Sequence, residues 1–156
     1  MQQGNFDQAK QYLDMALVLD PDYYEANIHL CTYYLFKKDY PTALQVCDHL
    51  IALSPDSPEL YTTGGVLNEK VGRPERATER YQRGLELYDK RLGEKKPAEE
   101  GDQISRAFLL RLMGREQEAK TELDRLVKAH EEDPRLKELA SMSKEEYIAA
   151  MLKVGP

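Results

Sequence analysis

Most of what would announce chemistry is missing from this sequence. Two cysteines among 156 residues, Cys31 and Cys47, are too few for a disulfide scaffold. They make a reducing compartment the default and leave at most one disulfide open. The three histidines, His29, His49 and His130, stand apart with no constellation around them. No nucleophile elbow or HExxH pair is present, and Gly64-Gly65 lacks the lysine and hydroxyl residue that complete a phosphate-cradling loop. Carboxylates are plentiful, but their spread over helical surface gives no reason to pair any two as acid and base. Catalysis is not expected.

Other absences bound the setting. No run approaches the roughly 18 apolar residues that a membrane helix needs, so membrane insertion is not expected. The opening Met1-Gln2-Gln3-Gly4-Asn5 has neither a basic start nor an apolar core, so no signal peptide is visible. Cytoplasmic location is the default, and export with the signal removed is the alternative. A basic surplus is lacking too: the net charge is −6. Bases are interleaved with acids, as in Glu116, Lys120, Asp124 and Lys128, the spacing of a solvated helix face. That balance argues against a nucleic-acid partner, which needs a surface able to displace counterions from phosphates.

One fragment resembles a metal site. His29-Leu30-Cys31 and Cys47-Asp48-His49 offer four ligand types in two short pairs. Residues two apart on a helix point to different sides, whereas a tetrahedral site needs all four to converge. Zinc is therefore discounted, the cysteines read as small packing residues, and no cofactor is expected.

What the sequence does have is a repeat. Ala9, Ala43 and Ala77 recur every 34 residues, and so do Pro21 and Pro55. A local pattern surrounds each alanine: Gly4-Asn5-Phe6-Asp7-Gln8-Ala9, Lys38-Asp39-Tyr40-Pro41-Thr42-Ala43 and Gly72-Arg73-Pro74-Glu75-Arg76-Ala77. A fourth copy, Gly114-Arg115-Glu116-Gln117-Glu118-Ala119, follows after an insertion. Four residues beyond each alanine come Leu13, Cys47, Tyr81 and Leu123.

The physics of one unit is legible. Gly72 and Gly114 suit the left-handed conformation that ends a helix, and Pro41 and Pro74 suit the first turn of the next. Apolar residues then recur at helical spacing, as in Val46, Leu50, Ile51 and Leu53, until Asp20-Pro21-Asp22 or Ser54-Pro55-Asp56 breaks the chain. The small alanines let two antiparallel helices approach closely. Such a helix–turn–helix cannot cover its own apolar face and must stack on neighbours.

Over roughly residues 4 to 131 this pattern resembles the tetratricopeptide repeat family. The second-helix signature is strong, as in Ala9, Leu13, Ala16 and Pro21. The first-helix signature is looser: Asn27, Leu30, Cys31 and Tyr34 in one unit, Tyr61, Gly64, Gly65 and Asn68 in the next, and Gln103, Arg106, Ala107 and Leu110 in the last. The resemblance implies an all-α fold, a right-handed α-solenoid of antiparallel helix pairs closed by a C-terminal capping helix. It divides one domain, 1–156, into a half repeat (4–23), repeats (24–57 and 58–91), a divergent repeat with an insertion (92–133) and a cap (134–156). In the cap, Ser143 followed by Glu146 has the form of a capping box, ahead of the apolar stripe Tyr147, Ile148, Met151 and Leu152.

The family's fold implies a concave face lined by first helices, which binds a protein or peptide. Carried over by position, its groove falls on Glu25, Ile28, Thr32, Leu35 and Phe36, then Glu59, Thr62, Val66, Glu69 and Lys70, then Ile104, Phe108, Arg111 and Leu112. For several of these, burial in the core is the competing reading. The carboxylate clamp of chaperone-tail adaptors is not matched: its positions fall on His29, Glu59 and Thr63, or on Ile28, Thr32, Thr63, Gly101 and Ser105. Two features stand out from the family pattern. The first unit begins at its second helix, so Leu13 and Leu17 become candidates for self-association into a homodimer. The charged stretch from Leu92 to Gly101 reads as an exposed loop after a lengthened helix. The leading expectation is an interaction scaffold; a self-assembling unit and a regulatory domain of a larger protein are the alternatives.

Overall fold

In a computed structural model, residues 3–94 and 99–153 are described, with side chains from residue 8 onward. Nine helices follow one another among these residues: α1 (Gln3–Leu19), α2 (Tyr24–Phe36), α3 (Tyr40–Leu53), α4 (Pro58–Lys70), α5 (Pro74–Glu94), α6 (Glu100–Leu112), α7 (Glu116–Ala129), α8 (Pro134–Ser141) and α9 (Lys144–Leu152). No strand occurs among them. The pairs α2–α3, α4–α5 and α6–α7 stack in sequence, each second helix also packing on the first helix of the next pair. This is the expected all-α solenoid.

Three turns show how the repeat is written into backbone. Lys38, Gly72 and Gly114 all take positive φ, at 58°, 74° and 77°. After each, the next N–H reaches back five residues: Asp39 to the Tyr34 carbonyl, Arg73 to Asn68 and Arg115 to Leu110, at 2.8–2.9 Å. That bond closes a helix C-terminus in the left-handed fashion glycine favours. The following helices start in standard ways. Asp39 accepts from the Thr42 N–H at the start of α3, and Pro41 occupies its first turn.

The core runs along the stack in three clusters. One gathers Cys31, Leu35, Ala43, Leu44, Cys47, Leu50, Ile51, Leu60 and Leu67. The next holds Val66, Ala77, Tyr81, Leu85, Tyr88, Leu109, Leu110, Leu112, Ala119 and Ile148, and a third Ala107, Phe108 and Leu123. Ala43, Ala77 and Ala119 are all buried, so the helices meet where the sequence places small side chains. Ion pairs join helices both within and between these pairs. Arg80 reaches Asp48, Arg91 reaches Glu59 and Asp102, and Arg106 bridges Asp89 and Glu122. The lengthened helix is α5, which runs to Glu94; residues 95–98 of the expected loop lie outside the described residues.

Candidate protein-interaction face

The groove positions divide into two unlike sets. On α2, Glu25 is exposed, while Ile28, Thr32 and Phe36 are half-buried and Leu35 belongs to the core. On α4, Lys70 is exposed at the helix end. Thr62 and Val66 are buried, and the Thr62 hydroxyl donates to the Pro58 carbonyl at 2.9 Å. Those two, with Leu35, went to the core, the competing reading that sequence left open.

Glu59 sits at the surface but is engaged. Arg91 donates to both its oxygens, at 2.6 and 3.3 Å, and Ser57 donates at 2.8 Å. Burial pushes its carboxyl up, but the bonds from Arg91, its own backbone and Ser57 outweigh that and hold it below the ordinary value. Its charge is already answered within the chain.

On α6 the groove positions meet the C-terminus of the same chain. Phe108 is buried and stacks on Tyr147 of α9, ring centroids 4.1 Å apart and planes within 7°. Arg111 is buried; it pairs with Glu116 and donates to the carbonyls of Ala140, in the last turn of α8, and Met142, just beyond it. Leu112 is buried, and Ile104 packs half-buried on the cluster around Phe108. Glu69 of α4 takes part as well, accepting from Lys144 Nζ at 2.8 Å; the same ammonium donates to the Leu112 carbonyl at 2.9 Å.

These contacts orient α9. Its first residue lies at the end of α6 and Tyr147 lies a turn back at Phe108, so the two helices run antiparallel. Ile148 is buried in the cluster with Val66 and Leu109, and Leu152 packs against both this cluster and the one around Leu67. The capping box is complete: the Glu146 N–H donates to Ser143 Oγ, and Glu146 accepts from the Ser143 N–H. Sequence therefore located this helix and its apolar stripe. It did not show that the stripe lies over α4 and α6, because pairing between distant helices leaves no local pattern.

At the other end, α1 leans mainly on α2. Leu13 and Leu17 are half-buried. Fully presented instead are Tyr12, Met15, Val18 and Leu19, from 64% to 87% exposed. The apolar face on offer is thus rotated from the one sequence picked out.

Both cysteines are free and buried. Cys31 Sγ points to the Ala43 carbonyl and Cys47 Sγ to the Leu60 carbonyl, while His49 faces Pro21 and Asp22. Among the described residues no three potential metal ligands gather. No helix there is long and apolar enough to cross a membrane.

The class that fold and face define is a stacked helix-pair solenoid, and the comparisons with known proteins agree. Residues 1–64 match the tetratricopeptide repeat family model. Among solved structures, the chain is similar to MamA 41-end from Desulfovibrio magneticus RS-1, with 19% identity over 84% of this chain and 70% of that one, TM-score 0.56. It is also similar to a crystal structure of MamA at 18% identity, covering 96% of this chain and 85% of the other, TM-score 0.57. At that identity the likeness is one of fold. No curated protein matches the sequence.

Proposed function

We propose that this chain is an interaction scaffold that binds a segment of another protein along its first-helix face and performs no catalysis. The tetratricopeptide match and the solenoid fold support the general reading. The observation that carries the finer one is the state of α2. Glu25, Ile28 and Thr32 stand at or near the surface beside one another, whereas the equivalent rows on α4 and α6 are engaged within the chain. An apolar residue flanked by a hydroxyl and a carboxylate suits a peptide with an apolar anchor and a basic neighbour.

The test is selection from a random peptide library against the purified chain, followed by affinity measurement with Thr32→Arg and Glu25→Lys variants. Selected peptides should bind at least ten-fold more weakly to T32R while its helicity is unchanged. Equal binding to both variants would remove the face from consideration.

Self-assembly is kept as a second reading because Tyr12, Met15, Val18 and Leu19 form an exposed apolar row on α1. Light scattering over a wide concentration range decides it. A dimer that Met15→Glu splits supports assembly through α1; a monomer throughout sinks it.

A further inference from the structure

The part of the first-helix face that a partner would share with α9 is already a formed helix site. Lys144, Tyr147, Ile148, Met151 and Leu152 fall at i, i+3, i+4, i+7 and i+8, one stripe of one helix. Each has a receiving group. The Glu69 carboxylate and Leu112 carbonyl take the ammonium, and the Phe108 ring takes the tyrosine. The cluster of Val66, Leu109 and Leu112 takes Ile148, with Met151 and Leu152 packed at its edge.

This arrangement is well formed but lightly held. Helix α9 has nine residues, below the length at which an isolated helix is stable in water. Ile148 is its one buried residue; Tyr147, Met151 and Leu152 are only partly covered, and Glu145, Glu146, Ala149 and Ala150 face solvent. Only Met142 and Ser143 separate it from α8. Elements with so few buried contacts open first.

We propose that the α4–α6 part of this face is a helix-binding site which α9 fills within the chain and yields to a partner helix. The partner is an amphipathic helix carrying a cation, an aromatic residue and three aliphatic or thioether residues at the spacing of α9. This rests on the scaffold reading above and adds the partner's chemistry and the competition. A longer incoming helix would win because it continues past Leu152 toward exposed Glu25 and half-buried Thr32 of α2, beyond the reach of nine residues.

The probe is a fluorescent, end-blocked peptide of residues 143–153, titrated into the full chain and into full-chain Ile148→Asp, with amide exchange recorded in parallel. In I148D, α9 should exchange freely while α4 and α6 stay protected, and the peptide should bind at least ten-fold tighter than to the unaltered chain. At saturating peptide the unaltered chain should lose protection in 144–152 alone. A peptide with Asp at the Ile148 position should bind neither. Absence of binding to I148D with α4 and α6 still protected, or equal binding to both chains, overturns the proposal.

Should I148D lose protection in α4 and α6, Glu69→Lys decides. It should prefer a peptide with Glu at the Lys144 position, reversing the preference of the unaltered chain; an unreversed preference overturns the proposal. Library peptides lost on T32R that leave α9 protected when bound would refute the exchange of helices while the scaffold reading stands.

Discussion

Helices α1 and α5 carry the same repeat pattern and meet different fates. Ala77 and Tyr81 of α5 are 1% and 2% exposed, and the equivalent Ala43, Cys47, Ala119 and Leu123 are buried to the same degree. Ala9 of α1, at the same repeat position, is exposed, and Leu13 is half-buried. The residues hardly differ in kind; the neighbours do. Helix α5 lies between α4 and α6, whereas α1 packs substantially on α2 alone among the described residues. A repeat residue therefore acquires its burial from the stack rather than from its own unit, as expected for an array whose stability is the sum of neighbour contacts.

The largest test of that contrast removes the same side-chain position from both helices. Tyr81→Ala should cost about 3–5 kcal/mol, the range for deleting a buried aromatic ring. Leu13→Ala should cost about 1 kcal/mol, since roughly half its surface gain was never made. Denaturant melts of the two variants check this, and similar losses would break the comparison.

Next in size are two adjacent glycines of α4 with opposite expectations. A Cβ on Gly65 would fall 2.2 Å from the buried Tyr81 ring, which would have to shift. Gly65→Ala should therefore destabilise by about 1–3 kcal/mol, despite alanine's better helix propensity. A Cβ on Gly64 meets its nearest atoms, Cys47 Sγ and Ile51 Cδ1, at an ordinary 3.5 Å. Gly64→Ala should stabilise by about 0.5–1 kcal/mol. A rise in melting temperature for both variants would show that the α4–α5 contact is looser than the close approach implies.

The cysteines sharpen the contrast without a melt. Burial pushes the Cys31 thiol up to about 11 and the Cys47 thiol further still. Both should resist alkylation at neutral pH in the folded chain, where thiolate is scarce. Cys31 sits in α2, the helix that supports the thinly packed α1, so it should react before Cys47. Mass spectrometry of a timed iodoacetamide reaction reads the order, and prompt labelling of Cys47 would count against the tight centre.

Sequence revealed the stack because helix ends and small-residue contacts are local signals. Gly72, Gly114, Pro41 and the alanine series each act within a turn or two of their own position. The candidate face was less legible. Leu35, Thr62 and Val66 fall at groove positions in the family pattern, and their burial depends on how far one helix sinks against the next, which no periodicity encodes. Glu59 looked available because its partner, Arg91, lies 32 residues away. The position of α9 depends on contacts such as Lys144 with Glu69, 75 residues apart. The stripe was visible, but its destination was a matter of tertiary packing.

The smallest expected effect lies in the turn between α2 and α3, the pair on which α1 leans. Lys38 occupies the left-handed position that glycine fills in the two later copies, with φ of 58° against 74° and 77°. A side chain there costs roughly 1–2 kcal/mol through the clash of Cβ with the following carbonyl. Replacing it by glycine relieves that strain but gives back part of the gain, because glycine loses more backbone freedom on folding. Lys38→Gly should therefore raise stability by about 0.5 kcal/mol, and Gly72→Ala in the equivalent turn should lower it by about 1 kcal/mol. The opposite signs matter more than the sizes. If both substitutions destabilised, Lys38 would be contributing through its side chain, and the three turns would not be copies of one device.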